Sequence, residues 1–200
     1  VGTITFEPYG GNPLPMIARL IKSRSLLINK GFKNEGIKNV LDSLPNGSHK
    51  GARGVSIGVT NKFYNNYEEM IDNLIEGFKV AETYSGFEYY EFNVSCPNLR
   101  NITNIDEKIN TPSGISIALR RIAELKIQRP VLIKMPLEYK DEGEIIELVD
   151  AIAPFPFVKG LILSNLAKDR TNSAFDKEEI AQAPVGNFSG KPTEEKSNAL

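Results

Sequence analysis

The chain has no tryptophan, one cysteine and one histidine in 200 residues. A single cysteine excludes an internal disulfide and suits a reducing compartment. With one histidine and one cysteine, no Cys/His spacing fits zinc, and no D-x-D-x-D-G loop fits calcium. No metal is expected. Excess charge is lacking too: 24 basic side chains face 25 acidic ones, a formal net charge of −1. That balance gives no case for nucleic acid. No run approaches the roughly 18 apolar residues of a membrane span, and no signal peptide is visible. The two phosphate-loop signatures G-x-G-x-x-G and G-x-x-x-x-G-K-[ST] are both missing. There is no initial methionine, and Val1 enters directly into strand-like sequence. The expectation is a piece that begins inside a domain. Lys191 to Leu200 is polar and is expected to hold no closing element.

Hydrophobic residues make up 40% of the chain, enough to fill a core. Their spacing predicts alternating strands and helices. Val1–Thr5, Gly54–Gly58, Glu88–Val94, Val131–Met135 and Gly160–Ser164 read as strands, with a shorter apolar stretch at Ser25–Ile28. Tyr67, Met70, Ile71, Leu74, Ile75 and Phe78 recur with helical period. Ile115, Ala118, Leu119 and Ile122 form a second stripe behind Pro112 and Ser113. A third, Ile145, Leu148, Val149 and Ile152, follows Asp141, a candidate N-cap.

Strands recurring every few dozen residues with helices between them predict parallel βα units, hence a (β/α)8 barrel or a doubly wound sheet. Polar residues at strand after strand (Thr3 and Thr5, Ser56, Asn93, Lys134, Ser164 and Asn165) favour the barrel, whose strand ends converge on one mouth.

The richest segment is F-N-V-S-C-P-N-L-R-N, Phe92 to Asn101. Pro97 stops a buried strand, and Asn93 and Asn98 bracket Cys96. A lone cysteine is usually a small buried hydrophobe. Here its neighbours are hydrogen-bonding groups, and a thiolate can serve as a base. Lys134 sits in P-V-L-I-K-M-P. It is either an end-of-strand lysine that snorkels outward or a cation facing a bound anion or electron-rich ring. Asn29, before a glycine, fits a plain turn equally well. Ser164-Asn165 reads similarly. G-N-P-L-P after Tyr9 reads as a rigid loop with little chemistry of its own. His49 lies in a polar loop and is not expected to be catalytic. Asp141–Glu147 and Lys168–Arg170 read as solvated faces.

V-G-T-I-T-F-E-P-Y-G-G-N-P-L-P with Arg19-Leu20, I-N-K-G-F-K-N-E-G, G-V-S-I-G-V-T-N-K, N-V-S-C-P-N, V-L-I-K-M, G-L-I-L-S-N and F-S-G-K-P occur in that order. Together they resemble the quinone-dependent, class 2, dihydroorotate dehydrogenases. The resemblance implies an α/β fold, a (β/α)8 TIM barrel whose first and last βα units are missing. Residues 1–200 would be the central portion of a single FMN-binding domain. The implied reaction is oxidation of dihydroorotate to orotate in pyrimidine (UMP) biosynthesis. Cys96 would take the C5 proton while a hydride passes from C6 to flavin N5. Lys134 would lie against the flavin and stabilise negative charge on its reduced form. Gly2, Thr3, Asn29, Asn93, Ser164 and Gly190 would also serve the FMN. Asn29, Gly31, Phe32, Asn93, Asn98 and Asn165 would hold the substrate. Arg19 matches an arginine near the quinone tunnel.

The resemblance also implies an intracellular protein, cytoplasmic or peripherally attached to a membrane through an element outside this chain. Open barrel edges would invite self-association. The pattern departs from the family in places. Cysteine is the class 1 base where class 2 uses serine. Ser56 replaces an FMN-contacting asparagine, Leu166 a substrate-contacting threonine, and Asn187 a glycine. The Asn29 loop is one residue short. A related flavin barrel acting on another cyclic amide, such as a dihydropyrimidine, and a non-catalytic partial barrel are the competing readings.

Overall fold

The computed structural model describes residues 1–45, 50–99, 101–102, 105 and 108–200. His49 and Arg100 lie outside the described residues. Four strands, β3 (Gly54–Ile57), β4 (Tyr89–Asn93), β5 (Val131–Lys134) and β6 (Val158–Ile162), form a parallel sheet in the order β3-β4-β5-β6. On the far side of β3, Ile4 makes a parallel bridge to Ile57, and Ile4 N–H donates to the Ser56 carbonyl at 2.8 Å. The expected strand at Val1–Thr5 is thus present only as a short bridged segment. Spatial order follows chain order throughout, with none of the reversal that defines a doubly wound sheet. Among the described residues the sheet is an open arc.

The strands alternate strictly. Val55, Ile57, Tyr90, Phe92, Val131 and Ile133 are fully buried on the outer face. There they meet α2 (Tyr67–Glu82) and α3 (Pro112–Glu124), whose stripes are the predicted ones. Phe78 of α2 lies edge-on to Tyr90 and Phe92, with centroids 5.1 and 6.0 Å away. Each such buried side chain contributes about 2 kcal/mol through removal from water. Asp141 is the cap the sequence signals, while Thr111 and Asn66 are found only in the structure. Thr111, Asn66 and Asp141 accept from Gly114, Glu69 and Glu144 N–H to begin α3, α2 and α4 (Glu142–Ile152). The other face of the sheet carries Ser56, Glu91, Asn93 and Lys134 toward the interior of the arc.

A second sheet was not foreseen. β1 (Ile17–Leu20), β2 (Ser25–Ile28) and β7 (Asn187–Gly190) pair antiparallel in that order. Its small core is Leu20, Leu27, Phe175 and Phe188, and Arg170 stacks 5.0 Å over the Phe188 ring. Arg170 is therefore a packing residue, not only part of a solvated face. Two short helices, α1 (Ile37–Asp42) and α5 (Lys177–Gln182), precede the sheets' later strands. The polar end is not bare either. Lys191–Ala199 forms α6, with Pro192 in its first turn, where a missing N–H costs nothing.

Candidate active site

The C-terminal ends of the parallel strands and the loops after β2 enclose a cavity of about 240 Å³. Gly2, Thr3, Gly31, Phe32, Asn93, Cys96, Asn98 and Asn165 all line it, so eight of the residues singled out in the sequence meet at one place. Lys30, Lys33, Ile28 and Leu166 complete the wall. The two lysines add positive charge that the sequence reading had not weighed.

Local backbone geometry explains several of these positions. Gly31 and Phe32 both take positive φ, 63° and 67°. A Cβ on Gly31 would fall 2.6 Å from Asn61 Nδ2 and 2.8 Å from Asn12 Oδ1, so only glycine fits. The unusual Phe32 conformation is held by Asn34, whose Nδ2 donates to the Phe32 carbonyl at 2.7 Å.

Behind the cavity lies Asn12, 1% exposed, from the segment expected to be inert. Its Nδ2 donates to Asn29 Oδ1 at 3.0 Å and to the Asn98 carbonyl at 2.9 Å. Its Oδ1 accepts from Tyr9 Oη at 2.6 Å and Asn61 Nδ2 at 3.2 Å. All four hydrogen-bonding positions of this side chain are used. Asn29 is thereby turned away from the cavity, its own Nδ2 donating to the Pro13 carbonyl. Proline-flanked, Asn12 reads as punctuation; only a long-range partner list identifies it as a hub. Asn98 is held from a second side, because Asn187 Nδ2 donates to Asn98 Oδ1 at 2.7 Å. That leaves the Asn98 Nδ2 end for the cavity.

Cys96 stands between this cavity and a neighbouring one of about 300 Å³ lined by Met70, Val94, Leu99 and Ile109 among others. Burial pushes its thiol up to about 11, while the Asn98 backbone N–H and the Lys134 charge oppose that rise. Lys134 itself lines a third cavity, about 220 Å³, with Ser56, Tyr89 and Glu91; Gly2 and Thr3 are common to both. No hydrogen bond or ion pair to its ammonium occurs among the described residues, and the carboxylate that shares its cavity is Glu91. Ser164 Oγ, just past β6, is buried without a hydrogen-bond partner. Gly190 and Arg19 lie elsewhere, on an open groove of the antiparallel sheet with Leu20, Ile21 and Arg24. No group of three or more His, Cys, Asp or Glu side chains among the described residues could hold a metal.

Comparison with known proteins adds independent information. The family model described as dihydroorotate dehydrogenase matches residues 1–199. A dihydroorotate dehydrogenase (quinone) of Rhizobium etli is 30% identical over 204 residues, covering 100% of this chain and 53% of its own length. One from Thermobifida fusca is 29% identical over 205 residues, covering 98% and 52%. The chain thus spans about half the length of the curated relatives it matches. Among solved structures, the ligand-free DHODH of Eimeria tenella superposes with a TM-score of 0.78 at 23% identity, covering 100% of this chain and 59% of that one. The same protein in complex with ferulenol gives 0.73 at 22% identity.

Proposed function

The chain belongs to the dihydroorotate dehydrogenase family, and from that premise we propose that it is the central portion, residues 1–200, of a single FMN-binding (β/α)8 barrel that oxidises dihydroorotate to orotate. Its open arc of parallel strands is an incomplete barrel. The observation that carries the proposal is the meeting of Cys96, three asparagine side chains and Lys134 around adjoining cavities at the strand ends.

The residues present fit a flavin. The Lys134 ammonium, without a hydrogen bond or ion pair among the described residues, suits an anionic or electron-rich neighbour in the cavity it lines. When bound, the flavin supplies the acceptor for the two electrons released at the C5–C6 bond. Everything else falls to the chain. Asn98 offers a donor and Asn93 an acceptor to a ring that carries both C=O and N–H groups. Asn165 spans Asn93 Oδ1 and Ser95 Oγ at 3.3 and 2.9 Å and closes the far side. Lys30 and Lys33 place positive charge at the wall for a carboxylate. Cys96, once ionised, takes the C5 proton on Sγ. Its apolar surroundings exclude water and make the thiolate a strong base. Lys134 stabilises the thiolate and would offer its positive charge to a bound flavin.

Gly190 and Arg19 support a different part of the reading. Their open groove, with Ile21 79% and Leu26 42% exposed, suits an apolar electron acceptor such as the quinone in the relatives' names. No helix among the described residues is long and apolar enough to cross a membrane. Leu161 on β6 and Leu163 just past it are exposed and support self-association through that edge. Leu166 in the cavity wall favours, as a second reading, another cyclic amide with fewer acceptors for the protein to satisfy. The test is the visible spectrum of the full-length flavoprotein before and after anaerobic dihydroorotate. Bleaching of the flavin band is expected. A band that persists, with no perturbation by orotate, would move the substrate to the second reading.

A further inference from the structure

Asn93 ends β4 with its amide toward the interior, and an amide's two ends have nearly the same shape. What lies beneath it decides which end faces the ligand. Ser56 Oγ stands 2.6 Å from Glu91 Oε1. A carboxylate only accepts, so the Ser56 hydrogen is used there. Ser56 Oγ must then accept from Thr3 Oγ1, 2.8 Å away, although that geometry alone permits either direction. Thr3 has now used its one hydrogen, so its oxygen accepts from Asn93 Nδ2 at 2.9 Å. Turning the amide over would set Asn93 Oδ1 against an oxygen with no hydrogen to offer.

We propose that Glu91 is a positioning residue: through Ser56 and Thr3 it fixes Asn93 as a hydrogen-bond acceptor toward the ligand, and so selects a ring N–H at that point. The proposal rests on the cyclic-amide reading above and gives it a specificity element. Glu91 touches neither Cys96 nor the 240 Å³ cavity, and Glu91 and Ser56 line the neighbouring cavity instead. Thr3 lines both cavities, so a ligand beside Asn93 meets the relay only at Thr3, whose hydrogen is already given to Ser56.

A second chain agrees with this polarity. Asn165 Oδ1 accepts from Leu166 N–H at 2.9 Å, which leaves its Nδ2 to donate to Ser95 Oγ at 2.9 Å and to Asn93 Oδ1 at 3.3 Å. Asn93 Oδ1 also accepts from the Ser95 backbone N–H at 3.4 Å, so three contacts hold the amide, and the 2.9 Å bond to Thr3 is the shortest. The Asn165 contact is on the cavity side, so a ligand N–H competes with it for Asn93 Oδ1. Once that happens the Glu91 relay and the long Ser95 contact set the orientation together, and the relay makes the shorter bond. The charge at the end of the relay strengthens each link. Register places Glu91 opposite Ser56 on the adjacent strand, so the carboxylate cannot be supplied by a neighbour without a new sheet register.

The test uses the full-length flavin-loaded protein and titrates its visible spectrum with orotate and with two analogues in which one ring N–H is replaced by oxygen. The analogue that lacks the N–H facing Asn93 should bind about a hundredfold more weakly than orotate in the native protein. In Glu91→Gln the carboxamide can donate, the relay loses its fixed direction, and the ratio, read on the flavin-loaded fraction, should fall to about tenfold or less. Ser56→Ala cuts the relay in the middle, should do the same, and carries the test if Glu91→Gln fails to fold. An unchanged ratio in both variants would overturn the proposal. If the native protein binds no orotate, the substrate reading fails, and the relay is judged by the Asn93 side-chain 15N–1H resonances, assigned with Asn93→Asp. Those resonances should move in both variants; resonances that stay in place would overturn the relay as well.

Discussion

Ionising Cys96 should be difficult, and the difficulty can be measured without substrate. Burial raises its thiol to about 11. At pH 8 about 0.1% of such a thiol is thiolate, against roughly a quarter for a free cysteine of pKa near 8.5. Because the chain holds one cysteine, alkylation by iodoacetamide reports on this group alone. The rate at pH 8 should lie about two hundredfold below that of a small reference thiol. It should climb tenfold per pH unit to beyond pH 10, with its midpoint near 11. Urea should restore an ordinary profile. The sign for stability follows from the same shift. The unfolded thiol ionises before the folded one, so the contribution is present below the unfolded pKa and is lost as pH rises toward 11. Lys134→Met should move the midpoint higher, because that charge opposes the rise. A native midpoint below about 9 would refute the assignment of desolvation as the dominant cause.

Asn12→Leu leaves Asn29 Oδ1, the Asn98 carbonyl, Tyr9 Oη and Asn61 Nδ2 without their shared partner, and should cost roughly 3 kcal/mol in urea unfolding. Arg129→Met removes the guanidinium that bonds Glu82 at 3.0 Å and the Phe87 and Tyr84 carbonyls, and that stacks 4.2 Å over the Phe87 ring. With both charged partners about a quarter exposed, a loss of about 2 kcal/mol in the same assay is expected. Asn187→Gly frees Asn98 to turn, and should weaken orotate binding to the full-length protein several-fold in a spectral titration. The Cys96 alkylation midpoint should stay in place.

Sequence patterning made the parallel sheet legible because α2, α3 and α4 each repeat apolar residues with one period, and Asp141 caps α4 as its position before the stripe implies. The site cluster was legible for a different reason. Asn93, Cys96 and Asn98 share one short segment at a strand end, where parallel sheets collect chemistry. The antiparallel sheet was hidden because its three strands bury only one apolar side chain each, Leu20, Leu27 and Phe188. Asn12 and Glu91 were hidden because their roles exist only through partners distant in sequence: Asn98 is 86 residues from Asn12, and Ser56 is 35 from Glu91. In α6 the signal was Pro192, which lies at the helix start where it is harmless.

The two sheets also differ in when they can form during synthesis. Each strand from β4 to β6 pairs with the one made just before it, so the arc can grow as the chain leaves the ribosome. The antiparallel sheet cannot follow that order. Its β2–β7 edge is tied by contacts such as Ser25 Oγ to the Ser189 carbonyl, 164 residues apart. Closing a loop that long comes late. The last step clamps Asn187 onto Asn98, so Asn98 is fixed from β7 only after the rest of the arc already exists. Assembly of the arc and completion of the ligand cavity are thus separate events in the life of the chain.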